Sequence, residues 1–249
     1  MAWNRDKHRE EPEEGLWEQL APGVVRRRLP GWDATVGAVR GTAGVLVVDT
    51  GSGLAEGAEI RDGLRGLFGL PVTHAVLTHS HFDHVFGLTA FEGAHVYGAQ
   101  GLGEHLADAR EELRQDAVRH GMAPEAAAES AAGLVPPGHG VSEQLTMVPG
   151  EREVHLVNMG AAHSPYDLAV LVSDRDGGRP VVFCGDLVEE SGEPQAGRDA
   201  APSRWPAALG RLLALGGEDA LYVPGHGAVV DADFVRTQRD ALADRFGLS

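Results

Sequence analysis

Cysteine is almost absent from this 249-residue chain, with Cys184 the only one. No intramolecular disulfide, cysteine-based zinc finger or CxxC redox pair can therefore form, and any metal chemistry has to use other side chains. Basic residues are scarce as well. Lys plus Arg is 21 against 37 Asp plus Glu, a formal charge of −16. Such a surface repels a phosphate backbone, which argues against nucleic acid as a partner. No apolar run approaches the roughly 18 residues of a membrane span, and the opening MAWNRDKHREEPEEG lacks the apolar stretch of a secretion signal. No membrane partner is expected, and the cytoplasm is the default location.

What remains is an ordinary globular composition, 43% hydrophobic and 23% charged, sufficient to bury a core. Charge and Pro12 mark residues 1–15 as a flexible N-terminal tail, leaving 16–249 as one domain. Strand-like patterns run from Val24 to Leu29, Ala34 to Arg40 and Gly44 to Asp49, the last being an apolar run closed by Thr50, Gly51, Ser52 and Gly53. Ile60, Leu64, Leu67 and Phe68 then fall at helical spacing over Leu54 to Phe68, and Pro71 precedes a further strand at Ala75 to Leu77. A short helix over Val85 to Phe91 leads to a strand at Ala94 to Tyr97. Apolar spacing predicts one helix from Gly101 to Arg119 and another from Pro124 to Ala132. This 100–142 region is either a packed layer or a lid over a pocket.

Strands resume at Gln144 to Val148, Glu153 to Asn158, Leu168 to Val172 and Pro180 to Phe183. The chain closes with a helix over Trp205 to Leu215, a strand at Ala220 to Val223 and a helix over Ala232 to Phe246, for which Asp231 is the expected N-cap.

Chemistry concentrates in LTHSHFDH, which places His79, His81, Asp83 and His84 within six residues. Two imidazoles spaced by one residue project together from an extended strand end, while the Asp83–His84 pair turns a corner toward a second position, so one loop can serve two metal ions. Neutral imidazoles and carboxylates suit zinc, and also iron or manganese. Three further candidates stand at strand-to-loop transitions: His163 in MGAAHSPYD, Asp186 in VVFCGDLV and His226 in YVPGHG. Asp49 and Thr78, beside the histidine loop, are candidates to orient the imidazoles.

This ordered set resembles the metallo-β-lactamase superfamily, with HxHxDH followed by a His, an Asp after an apolar strand and a His in a GH context, over roughly Gly23 to Phe246. The resemblance implies that His79, His81 and His163 bind one metal ion, that Asp83, His84 and His226 bind a second, and that Asp186 bridges the two. It implies an α/β fold, an αββα sandwich of two facing mixed sheets with helices outside and the metals at one edge. The implied activity is a metallo-hydrolase with two divalent ions, zinc first, acting on a small acyl substrate (ester, lactone or thioester) through a metal-bridging hydroxide, with Asp83 as proton relay.

Alternatives are a mononuclear iron persulfide dioxygenase using His79, His163 and Asp186, a β-lactam hydrolase, and a non-catalytic metal-binding protein. Within that superfamily, glyoxalase II enzymes carry a C-terminal helical extension that helps bind glutathione. Only 23 residues (249 − 226) follow His226 here, so the resemblance makes a glutathione thioester the less expected acyl substrate. Asp186 itself departs from the dizinc β-lactamases of the HxHxDH subclass. Cys184 reads as core, and His139 in PPGHG as a loop histidine outside the ligand order. His8, His74, His95, His105, His120 and His155 are expected in surface or half-buried roles. Tyr97, Met122, Tyr166 and Asp167 are candidate pocket residues.

Overall fold

The computed structural model describes residues 15–150, 152–173 and 178–248. The expected tail at 1–15 lies, but for Gly15, outside the described residues. The first sheet is formed by β1 (Trp17–Ala21), β2 (Val24–Arg28), β3 (Thr35–Arg40), β4 (Val45–Val48), β5 (Val72–Val76), β6 (His95–Ala99) and β7 (His139–Val141), in that spatial order. The first four run antiparallel; β5, β6 and β7 continue parallel to β4. The second sheet has β8 (Gln144–Met147), β9 (Val154–Gly160), β10 (Asp167–Val172), β11 (Val181–Glu189) and β12 (Leu221–His226), with β12 joining β11 in parallel at its edge.

Strand periodicity explains the layering. In β4 all four residues are buried, because Leu46 and Val48 face the second sheet while Val45 and Val47 face helices. Between the sheets Val39, Leu46, Val48 and Val76 meet Leu156, Leu168, Val170 and Phe183. The approach is close enough that a side chain at Gly37 would overlap the Phe183 ring.

Outside the first sheet lie α1 (Leu54–Phe68), α2 (Phe82–Val85), a 3₁₀ turn at Phe86–Phe91, α3 (Leu102–Asp108), α4 (Arg110–Arg119) and α5 (Pro124–Gly133). Outside the second lie α6 (Trp205–Gly216) and α7 (Ala232–Arg245), which cover Val182, Cys184 and Tyr222 with Trp205, Leu209, Leu212 and Val235. Full burial of one such aliphatic side chain stabilises by about 1.5–3 kcal/mol. The architecture is the expected αββα sandwich. Among the described residues no helix is long and apolar enough to cross a membrane.

Several local expectations are corrected. A strand, Trp17–Ala21, precedes the first one expected; only Leu20 in it is buried, and the polar pair Glu18 and Gln19 leaves no apolar alternation to read. The helix expected over 101–119 is broken at Ala109, where the backbone leaves helical geometry (φ −86°, ψ 6°) and α4 begins, lining the cleft described below. His139 opens β7 instead of sitting in a loop, pairing with Tyr97. The strand expected to stop at Phe183 runs on to Glu189, staying beside β12 through register shifts on either side of Gly185, which has φ 54°, until Glu189 pairs with His226 at the end of β12. Asp231 caps α7 as expected, accepting from Phe234 N at 3.0 Å.

Candidate metal centre

The two sheets meet at one edge, where Leu168 N of β10 donates to Thr78 O at 2.8 Å, and all seven candidates converge there. His79 and His81 follow the C-terminal end of β5, and α2, starting at Phe82, carries Asp83 and His84. His163 sits in the turn between β9 and β10. That turn is tied by Asp167, whose carboxylate accepts from Ala162 N at 3.0 Å, Ser164 N at 3.1 Å and Ser164 Oγ at 2.7 Å. Asp186 lies inside β11 and not in the loop after it, and His226 ends β12. Gly225 has to be glycine: a methyl group there would overlap Asp186 Oδ1.

Asp186 is the hub. Its Oδ2 stands 3.6 Å from His79 Nε2, 3.4 Å from His163 Nε2 and 3.2 Å from His226 Nε2, and its Oδ1 stands 3.2 Å from His84 Nε2. Asp83 Oδ2 approaches His84 Nε2 at 3.5 Å and His226 Nε2 at 3.4 Å. Donor atoms of His79, His81, His163 and Asp186 fall within 4.8 Å of one another, as do those of Asp83, His84 and His226. His79 Nε2 and Asp186 Oδ1 are buried without a hydrogen-bond partner, a costly arrangement for polar atoms unless a cation completes it. The residues present thus fit two metal ions.

The outward nitrogens fix which inward ones are free to bind. Thr78 Oγ1 gives its hydrogen to Asp49 Oδ2 at 2.7 Å, so toward His79 Nδ1, 3.0 Å away, it accepts. His79 is then protonated at Nδ1, with its Nε2 lone pair turned inward. Asp49 Oδ2 also accepts from His84 Nδ1 at 3.0 Å, and the Trp32 carbonyl accepts from His226 Nδ1 at 2.8 Å. These contacts place the expected Asp49 and Thr78 behind the imidazoles. Asp33 and Asp49 are the non-glycine residues with positive φ, 59° and 60°, among those described. Asp33 follows Trp32, so both strained positions stand directly behind His84 and His226.

Burial opposes a charge on every ring. At His79 and His163 it wins, holding the first well below the ordinary histidine value and the second at about 4. At His84 burial is overcome by Asp186, Asp83 and Asp49, which raise it well above that value; at His226 it is overcome chiefly by Asp186, which raises it to about 11. Burial opposes Asp186 ionisation too, but His226, His84 and His79 carry its carboxyl well below the usual range.

A cleft of about 680 Å³ opens onto the centre. Trp32, Phe82, Ala109 and Leu113 form an apolar wall, and the segment from Ser191 to Asp199 forms the polar wall opposite. The 100–142 region is accordingly a packed layer whose α4 face walls the cleft, while Leu102, Leu106, Ala127 and Ala131 are buried against the sheet. A shallower depression of about 760 Å³ around Ser142, Asn158 and Arg211 contains none of the candidates.

Some pocket assignments change. Tyr97 stacks on His139 at 4.7 Å between ring centres, Met122 is core, Tyr166 packs on His105, and Asp167 is consumed by its own turn. Conversely Trp32, His105, His120, Glu189 and Asp199 border the cleft without any sequence signal, since Trp32 acts through a backbone carbonyl and the others share no spacing with HxHxDH.

A family model described as the Metallo-beta-lactamase superfamily matches residues 29–226. Among solved structures the chain is similar to a metallo-beta-lactamase from Pontibacter korlensis, 19% identical, with TM-score 0.71 over 92% of this chain and 99% of that one. It is likewise similar to a metallo-beta-lactamase from Hirschia baltica, 15% identical, with TM-score 0.66 over 92% and 98%. At these identities the likeness speaks for the fold.

Proposed function

Because the chain belongs to the metallo-beta-lactamase superfamily, we propose that it is a dinuclear metal-dependent hydrolase of a small ester, lactone or thioester. His79, His81 and His163 would hold one ion, Asp83, His84 and His226 the other, and Asp186 both; zinc suits this donor set best. The observation that carries the reading is the convergence of four Nε2 atoms on the two oxygens of Asp186, each within 3.2–3.6 Å. Two divalent ions bound there would supply hydroxide at neutral pH and polarise a carbonyl.

The chain's own residues supply the remainder. Asp83, which lines the cleft with its side chain 12% exposed, would accept a proton at a carboxylate oxygen and pass it to a leaving group. Trp32, Phe82 and Leu113 exclude water on one side and seat an apolar portion of the substrate. No Ser or Cys nucleophile is needed, and Cys184 is buried behind the second sheet.

The test is hydrolysis of a panel of lactones, thioesters and a chromogenic β-lactam by zinc-loaded protein. Turnover of an acyl substrate that disappears with a chelator and returns with zinc is expected. Absence of hydrolysis, with about one iron per chain and oxygen uptake on a glutathione persulfide, would replace this reading with the oxidative one.

A further inference from the structure

We propose that Asp199 is the positioning carboxylate of His81, and that through it the segment joining β11 to α6 sets how tightly the first half-site holds its ion. The inference rests on the metal-binding reading above. His81 turns Nδ1 inward, 3.0 Å from His163 Nε2, and Nε2 outward, 3.1 Å from Asp199 Oδ2. A carboxylate accepting the Nε2 proton locks the tautomer whose Nδ1 lone pair faces the centre and makes that lone pair more basic.

Elsewhere the same task falls to rigid parts of the fold. His79 leans on Thr78, His84 on Asp49 and His226 on the Trp32 carbonyl. Nδ1 of His163 is buried with no hydrogen-bond partner, its nearest carboxylate oxygen being Glu189 Oε1 at 3.8 Å. Among the described residues Asp199 is therefore the one carboxylate hydrogen-bonded to an imidazole of the first half-site.

Its surroundings differ from those of Asp49. The Asp49 side chain is 3% exposed at the end of β4, whereas that of Asp199 is 39% exposed on an irregular segment. That segment is tethered at Gln195 N to Glu189 Oε1, 2.9 Å, and at Ala201 N to Ala162 O, 2.8 Å, one residue from His163. Ser191, Glu193, Gln195 and Arg198 of the same segment line the cleft. A molecule seated against that wall consequently touches the strand of chain that aims His81.

The experiment is a stepwise metal titration against a chromophoric chelator, with cobalt spectra, on wild type, Asp199→Ala and Asp199→Asn. In Asp199→Ala one of two constants should weaken by about 10- to 100-fold, with a change in the cobalt bands of that site. The other constant should change less than that one, since the two half-sites are joined through Asp186 and are coupled. Asp199→Asn, which keeps an acceptor without the charge, should fall between. Repeating Asp199→Ala in a His226→Ala background should reproduce the loss, and in a His163→Ala background should abolish it. Metal-free Asp199→Ala should melt with the wild type, separating positioning from folding. Two unchanged constants in Asp199→Ala, beside a wild type that binds two ions, would overturn the inference alone; a wild type that fails to bind two would overturn the dinuclear reading instead.

Discussion

The two halves of the centre use the same residue types and differ in what stands behind them. Behind His84 and His226 are Asp49 and the Trp32 carbonyl, each next to or at a positive-φ aspartate buried or half-buried in the fold. Behind His81 is Asp199 on a half-exposed segment, and behind His163 nothing within hydrogen-bond distance. The proton load differs in the opposite sense. His79 and His163 are held neutral by burial, while His84 and His226 are drawn toward the charged form by Asp186 and Asp83. In the first half one ring, His81, is drawn toward the charged form, and its support is the half-exposed Asp199, while His79 shares the buried Thr78–Asp49 support. In the second half both rings are drawn toward the charged form and both are held by buried or half-buried parts of the fold.

The largest expected effect comes from erasing the distinction. Asp186→Ala removes the carboxylate common to both halves, so hydrolysis should fall to background and metal content well below that of wild type, read by elemental analysis and a rate assay. Wild-type turnover in that variant would refute the shared-carboxylate arrangement.

Asp49→Ala comes next and should strike the second half directly through His84 and the first half indirectly through Thr78 and His79. It removes the acceptor for His84 Nδ1, Thr78 N and Thr78 Oγ1 at once. A loss of about 3 kcal/mol in chemical denaturation is expected, from buried donors left unpaired. The affinity of the second ion should also drop by about 10- to 100-fold through His84, and that of the first ion by less through Thr78 and His79. A wild-type denaturation midpoint would mean that water replaces the carboxylate.

The pH dependence sharpens the same contrast. With His226 at about 11 in the metal-free protein, the ring is charged at neutral pH, and the second ion must displace its proton. Affinity there should rise about tenfold per pH unit for each proton released, from pH 6 to 8, and more steeply than at the first ion, because both His84 and His226 are drawn toward the charged form there, against His81 alone in the first half. Calorimetry in buffers of different ionisation enthalpy measures the release; equal pH slopes for both ions would contradict it. The linkage to folding has the same origin. A His226 value raised from 6.5 to about 11 stabilises the metal-free fold fully below pH 6.5, and that contribution is lost as pH rises toward 11.

The smallest effect belongs to His139→Ala. His139 stacks on Tyr97 in the first sheet, away from Asp186, so metal content should be unchanged. Loss of one ion would show that the ligand set is wrongly drawn.

The sandwich was legible because β4 and β11 carry apolar runs buried on both faces and the helices carry one apolar stripe, patterns set by backbone geometry alone. Trp17–Ala21 escaped because an edge strand with half-buried polar residues has no such contrast. The break at Ala109 escaped because both flanking helices keep helical spacing through it. In the centre, all seven candidates were named from their spacing or their place beside an apolar strand or glycine, though Asp186 was expected at the strand-to-loop transition and lies inside the strand. Trp32, Glu189 and Asp199 were illegible for a simple reason. One works through its backbone, and the others are brought to the site by chain segments whose path has no periodicity.

The central claim is that these two halves hold two ions around Asp186. Elemental analysis of the purified protein, after zinc loading and removal of free metal, tests it most directly. Two zinc ions per chain are expected, falling to about one in His226→Ala. One ion per chain in the wild type, unchanged in His226→Ala, would contradict it.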